Sequence, residues 1–258
     1  MANNNYPSDF ILDNLKIQTN LIEISNSFKV KKFLFLGSSC IYPKFASQPI
    51  KEEELLSGYL ETTNQYYAIA KISGIKLCEA LARQKGFNSI CLMPTNLYGP
   101  GDNYHKLNSH VLPSLIQKIS EAKNKNLKNV TCWGDGSPLR EFLYVDDLAD
   151  ACIFAMENIN LISNSYPKDK NGNPTSWINV GSNEEISIKE LAFLIAKIVG
   201  YKGSILWDKK MPNGTPRKKL DTSLLDKLGW KSKTNLEEGI KLTLKAYNKD
   251  FLENTLRI

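Results

Sequence analysis

Phe33-Leu34-Phe35-Leu36-Gly37-Ser38-Ser39-Cys40 is a short, unbroken apolar run that stops in a Gly-Ser-Ser turn. Strands that alternate apolar and polar residues cover one face only. An unbroken run suits a parallel strand covered on both faces. The next such run, Ser89-Ile90-Cys91-Leu92-Met93, is stopped by Pro94, and a third strand is read at 177–180. Between the first two lies a helical pattern at 64–85, with Asn64 as its expected cap and Gly86 as its terminator. A helix at 8–28 precedes the first strand, capped by Ser8 or Asp9, with Phe10, Leu12, Leu15, Ile17, Leu21, Ile22 and Ile24 on a broad apolar face. Strand–helix alternation of this kind predicts an α/β fold with a doubly wound parallel sheet, its strands at about 32–37, 88–93 and 177–180.

Working outward, residues 43–63 read as a long polar loop holding Glu52, Glu53 and Glu54. After Tyr98-Gly99-Pro100-Gly101 the character changes. A helix is expected at 109–122, short strands near 131, 142 and 205, and a helix capped by Asp146-Asp147 that runs to Asn158. Residues 160–175 are rich in Asn, Lys, Pro and Ser and read as an exposed loop. A helix at 187–199 and two closing helices complete the chain. The short strands belong to a smaller α/β lobe. The expected division is therefore 1–106 with 146–180 for the main layer, and 107–145 with 181–258 for the lobe.

A length of 258 residues gives one large domain or a domain with a lobe. No apolar run approaches a bilayer span, and the polar Met1–Asn5 precedes no apolar segment of a secretory signal. Cys40, Cys78, Cys91, Cys132 and Cys152 are odd in number and lack zinc spacing, so no metal site is expected and a reducing cytoplasm is. The net charge of +6 includes the clusters Lys29-Val30-Lys31-Lys32 and Arg217-Lys218-Lys219. Both fit a solvated surface; the second, after a turn at Asn213–Pro216, also fits a diphosphate site. A basic stripe interleaved with exposed aromatics is absent from the sequence, which argues against nucleic-acid binding.

Tyr67 and Lys71 stand four apart on the 64–85 helix and share a face. A free tyrosine, with a pKa of about 10, is a sluggish acid–base group near neutrality, and an adjacent ammonium is expected to lower that value. The pair could exchange a proton with a ketone or alcohol oxygen; it could equally be a half-buried Tyr beside a surface Lys. Ser38, at the carboxyl end of a strand, could share that oxygen or simply make a turn. Cys40 lies two residues further on, as a site thiol or a buried small hydrophobe. His110 opens the helix at 109–122, as a cap, as a solvent-facing histidine or as an acid. A thiol and an imidazole flanking a substrate could epimerise carbons beside a ketone.

Leu36-Gly37-Ser38-Ser39-Cys40-Ile41-Tyr42-Pro43-Lys44 resembles the signature of the GDP-L-fucose synthases, 3,5-epimerase-4-reductases of the extended short-chain dehydrogenase/reductase family. Tyr67–Lys71, Met93–Pro100, Asn108–Val111, Arg140–Asp147 and Gly214–Lys218 match the same family in order. The resemblance implies that Ser38, Tyr67 and Lys71 serve reduction at C4, and that Cys40 and His110 are base and acid at C3 and C5. It implies NADPH as cofactor, met by Leu36, Gly37, Ser38, Ser39, Lys71, Pro94, Thr95, Asn96, Leu97 and His110. It implies GDP-4-keto-6-deoxymannose as substrate, held by Lys118, Trp133, Arg140, Asn213 and Lys218, and a homodimer paired through the two long helices.

Family members open with a strand, a Gly-x-x-Gly-x-x-Gly turn and a helix that hold the cofactor pyrophosphate. Here the first glycine is Gly37, so the sheet is expected to be a partial Rossmann-like one with a bare edge at 32–37. Asn213 stands where the family carries an aspartate, which removes a charge there. Three outcomes are open: an active enzyme whose missing strands come from another chain or from an upstream coding segment, a non-catalytic remnant binding a GDP-sugar or a partner chain, or a related nucleotide-sugar epimerase or dehydratase.

Overall fold

The computed structural model describes residues 2–106, 108–160, 168, 172, 174–211 and 213–258. The chain begins with α1 (Ala2–Asn5), α2 (Pro7–Ser27), β1 (Phe33–Leu36), α3 (Gln65–Lys85), β2 (Ser89–Pro94) and β3 (Asn96–Tyr98). Then follow α4 (Val111–Asn124), β4 (Asn129–Trp133), β5 (Leu139–Tyr144), α5 (Val145–Asn158), β6 (Trp177–Val180) and β7 (Glu185–Ser187). It closes with α6 (Ile188–Val199), β8 (Ser204–Asp208), β9 (Arg217–Lys218), α7 (Ser223–Leu228) and α8 (Leu236–Leu252). Short 3-10 turns occur at Ser39–Ile41 and Glu52–Glu54. The polar segment expected at 160–175 lies mostly outside the described residues; within it, Lys168 and Pro174 form an antiparallel bridge. No helix among the described residues is long and apolar enough to cross a membrane.

Two compact units interleave along the chain. One comprises Met1–Thr95, Leu148–Asn183 and Leu220–Lys231, the other Asn96–Asp147, Glu184–Lys219 and Ser232–Ile258. Residues 96–106 therefore fall in the second unit, where β3 pairs with β5. Residues 220–231 fall in the first, because Ile50 bridges Leu220 and the Asp221 N–H donates to Ile50 O at 2.8 Å. Neither pairing is visible in a local pattern.

The first unit holds a parallel sheet in the order β1-β2-β6, with Phe33 opposite Ser89 and Cys91 opposite Trp177. The two apolar runs and the third strand read from the sequence are these strands. β2 is buried at every position, as a central strand must be, while among the described residues β1 pairs with β2 alone and Leu36 is exposed. α2 and α3 lie together, tied by the Gln18 amide donating to Ala70 O. Gly74 permits the close approach: a Cβ there would collide with the Phe35 ring and crowd Gln18. α3 ends at Gly86 in the left-handed conformation (φ 67°), as expected.

Two expected caps are corrected. α2 starts at Pro7, whose fixed φ and missing N–H suit a first helical position, while the Ser8 hydroxyl turns to Asp9. Asp147 is buried and accepts from Lys233 N, Thr234 N and Thr234 Oγ1, so its carboxylate binds the segment before α8. The loop at 43–63 is also less polar in its surroundings than its composition suggests. Glu52 is buried there, its Oε1 accepts from Asn179 N at 2.9 Å, and its backbone carbonyl accepts from Trp177 Nε1.

In the second unit β3, β7 and β9 all pair with β5, and β4 pairs with β8 in parallel. Leu115, Ile116, Ile119, Leu191, Ile195 and Ile240 form its core. The strands expected near 131, 142 and 205 are β4, β5 and β8, and all three lie in this unit.

Candidate active site

The site in the first unit grows from the end of β1. Gly37 N donates to Leu92 O at 2.9 Å, which extends the ladder one residue beyond Leu36. Ser38 then caps the 3-10 turn, its Oγ accepting from Cys40 N at 3.2 Å. This small hydroxyl–amide bond turns the chain and leaves Cys40 half-buried rather than in the core. Asn64 occupies the cap position of α3 but makes no side-chain cap bond; its Nδ2 donates to Cys40 Sγ at 3.3 Å. Tyr67 follows on the first turn of α3, its ring edge-on to Phe10 at 6.4 Å. Lys71, one turn later, donates from Nζ to Leu36 O at 3.0 Å and lies over the rings of Phe35 and Tyr67.

The electrostatics correct one expectation. Burial pushes the Tyr67 hydroxyl up to about 12, and the charge of Cys40 adds to that. The Lys71 ammonium does not bring it down. Its Nζ is bonded to a backbone carbonyl and stands 5.7 Å from the centroid of the Tyr67 ring, while burial weakens its own charged form. Desolvation of the phenolate outweighs the attraction.

Leu36–Ser39 and Pro94–Thr95 lie at the carboxyl ends of the adjacent parallel strands β1 and β2, with Thr95 N donating to Val180 O on β6. Open parallel sheets bind ligands at this end. Exposed Leu36, half-buried Ser38 and the Lys71 ammonium on the Leu36 carbonyl give a backbone-lined edge with a cation beside it.

The second unit carries the remaining expected residues. Asn96 donates from Nδ2 to Glu141 O at 2.8 Å, and Leu97 pairs with Leu143 in β3–β5. His110 is the exposed N-cap residue of α4. Behind it the chain is preset by short bonds, Asn103 N to Asp102 Oδ1 and His105 N to Asn103 Oδ1. Burial pushes the Asp102 carboxyl up, against the pull of His110 and Arg257. Lys118 lies over Trp133 at 5.6 Å. Arg140 on β5 is in register with Lys218 on β9, and its Nη1 donates to Leu139 O. Asn213 Oδ1 accepts from Asp135 N and so closes the turn after β4. Within the expected basic cluster, Arg217 is already paired with Glu185 by two bonds of 2.8 Å.

One residue that matters here was not legible as such. Asn64 reads as a helix cap, and its partner Cys40 lies in a separate stretch of sequence.

Residues 1–166 match the NAD dependent epimerase/dehydratase family. GDP-L-fucose synthase 1 of Arabidopsis thaliana is 51% identical over 249 residues, which are 96% of this chain and 73% of the plant protein. GDP-L-fucose synthase of Escherichia coli (strain K12) is 50% identical over 256 residues, 98% of this chain and 77% of the bacterial one. A crystal structure of a GDP-L-fucose synthetase from Naegleria fowleri bound to NADP matches with a TM-score of 0.85 at 28% identity, covering 97% of this chain and 76% of that one. With residues 1–166 matched by the family model and half its residues identical to those of these synthases, the chain belongs to the NAD dependent epimerase/dehydratase family, in its GDP-L-fucose synthase group.

Proposed function

We propose that this chain acts as a GDP-L-fucose synthase: GDP-4-keto-6-deoxy-D-mannose is epimerised at C3 and C5, then reduced at C4 with NADPH. The observation that supports this best is the cluster at the end of β1. Ser38 is bonded to the backbone of Cys40, and Lys71 is bonded to Leu36 while lying over Tyr67.

The C4 ketone acidifies the hydrogens at C3 and C5, because the electron pair left behind delocalises onto oxygen. Cys40, as thiolate, takes such a proton and becomes the thiol. Ser38 and Tyr67 donate hydrogen bonds to the enolate oxygen. Tyr67 must hold its proton for this, and a pKa pushed up to about 12 keeps it there at neutral pH. His110 returns a proton to the opposite face. NADPH, when bound, would supply the hydride for C4. Tyr67 then passes its proton to the C4 oxygen, while Lys71 stays bonded to Leu36 O beside it.

The first unit serves the cofactor and the second the GDP-sugar. Lys118, Arg140 and Lys218 meet the diphosphate, and Trp133 offers an apolar face. Asn213 acts through the turn it closes. Two copies pair through α2 and α3, whose Leu12, Ile17, Leu21, Ile24, Tyr66 and Ile69 are exposed apolar groups. A cytoplasmic setting suits five cysteines outside any disulfide.

The test is incubation of the protein with the keto-sugar and NADPH in D2O. Deuterium at C3 and C5 with one NADPH oxidised per GDP-L-fucose supports the proposal; unlabelled, unreduced sugar refutes it.

A further inference from the structure

Asn at a helix N-cap ordinarily accepts a bond from the backbone two or three residues on. Asn64 forgoes that bond. Its Oδ1 is buried without a hydrogen-bond partner, an arrangement that folded proteins avoid. Its Nδ2 spans the loop to Cys40 Sγ at 3.3 Å. The side chain thus gives up a local cap and leaves an acceptor unmet, and what it gains is one N–H donor on one sulfur.

We propose that Asn64 is a positioning residue for Cys40, its side-chain amide holding the sulfur in place and in the thiolate form. A thiolate is a strong acceptor and a thiol a weak one, so an N–H aimed at sulfur favours the deprotonated state. The same bond fixes where the lone pair points. Asn64 exchanges no proton: Cys40 takes the substrate hydrogen, and the C–H electron pair moves into the enolate. Tyr67 sets the opposing condition, since the Cys40 charge disfavours its phenolate. The amide therefore supports the state in which Cys40 is charged and Tyr67 still holds its proton, the pairing that epimerisation requires. This assignment rests on Cys40 being the epimerisation base.

The experiment titrates the thiol directly. Iodoacetamide alkylation of Cys40 is followed against pH by peptide mass spectrometry, with half-buried Cys152 as internal reference. Asn64→Asp keeps the size and the cap preference but has no N–H donor; Asn64→Leu removes the donor without adding charge. In both, Cys40 alkylation at neutral pH should slow about tenfold and its midpoint rise by about one pH unit, as for loss of a charge-assisted bond. Cys152 should not move. In D2O, hydrogen exchange at C3 and C5 should fall about tenfold at neutral pH and recover at high pH, with KM for the sugar unchanged. An unmoved Cys40 midpoint in the folded leucine variant overturns the proposal, as does a shift in the aspartate variant alone, which charge would explain. If the leucine variant does not fold, Asn64→Ala takes its place. Should Cys40→Ser retain full exchange, Cys40 is not the base and the functional assignment falls, while the alkylation titration still decides the role of Asn64.

Discussion

Replacing Glu52 by Gln should make the protein more stable above neutral pH and change it little in acid. Glu52 is 7% exposed, and burial is the main reason its carboxyl is pushed up from an ordinary 4.5 to about 7, with Asp221 and Glu53 adding to it. The bond from Asn179 N works the other way and does not win. A carboxyl whose folded pKa lies above its unfolded one keeps its proton in the fold after the unfolded chain has lost it. Stability is then fully present below the unfolded value, falls between 4.5 and about 7, and stays at the lower level above that. At about 1.4 kcal/mol per pKa unit the full loss is about 3 kcal/mol, of which about 2.5 falls between about pH 5 and about pH 8.5. Glutamine keeps an oxygen for Asn179 N and has no charge to bury. The assay is urea unfolding of both proteins across that range. Groups common to the two cancel, so the difference should grow in favour of Glu52→Gln by about 2–3 kcal/mol as pH rises. A difference constant to within about 0.5 kcal/mol would mean that Glu52 is ionised in the fold and that burial does not govern it.

Tyr67→Phe should cut C4 reduction by about two orders of magnitude or more while the protein still binds the sugar, measured as NADPH oxidation against substrate concentration. Gly74→Ala should destabilise by about 1–2 kcal/mol in urea, because the collision with the Phe35 ring exceeds the about 1 kcal/mol gained in helix propensity. Trp133→Ala should raise KM for the GDP-sugar about tenfold with little change in kcat, since it removes ground-state contact under Lys118. Leu21→Asp with Ile24→Asp should shift the sedimentation coefficient to that of a single chain; an unchanged coefficient would place any self-association elsewhere.

The parallel sheet was legible because two of its strands carry their own signal. Phe33–Leu36 and Ser89–Pro94 are apolar enough to need cover on both faces, and Gly86 can end a helix wherever it stands. β9, two charged residues paired with β5, carries no such signal. Nor does β7, which pairs antiparallel with β5 from a distant part of the chain. At the candidate site, residue types and spacing picked out Ser38, Cys40, Tyr67 and Lys71. They could not tell which influence on Tyr67 prevails, because solvent exposure depends on what the rest of the chain covers.

By itself the sequence placed Ser38 and Cys40 at a strand end and Tyr67 and Lys71 on one helix face. Helix periodicity and the apolar strand pattern are local, so they are written in consecutive residues. Only the tertiary structure decided that Asn64 turns from its helix to the Cys40 sulfur, that Lys71 spends its ammonium on Leu36 O, and that Glu52 is sealed beneath Asn179. Each of those depends on burial and on a partner distant in sequence, and desolvation is a property of the packed chain rather than of any segment of it.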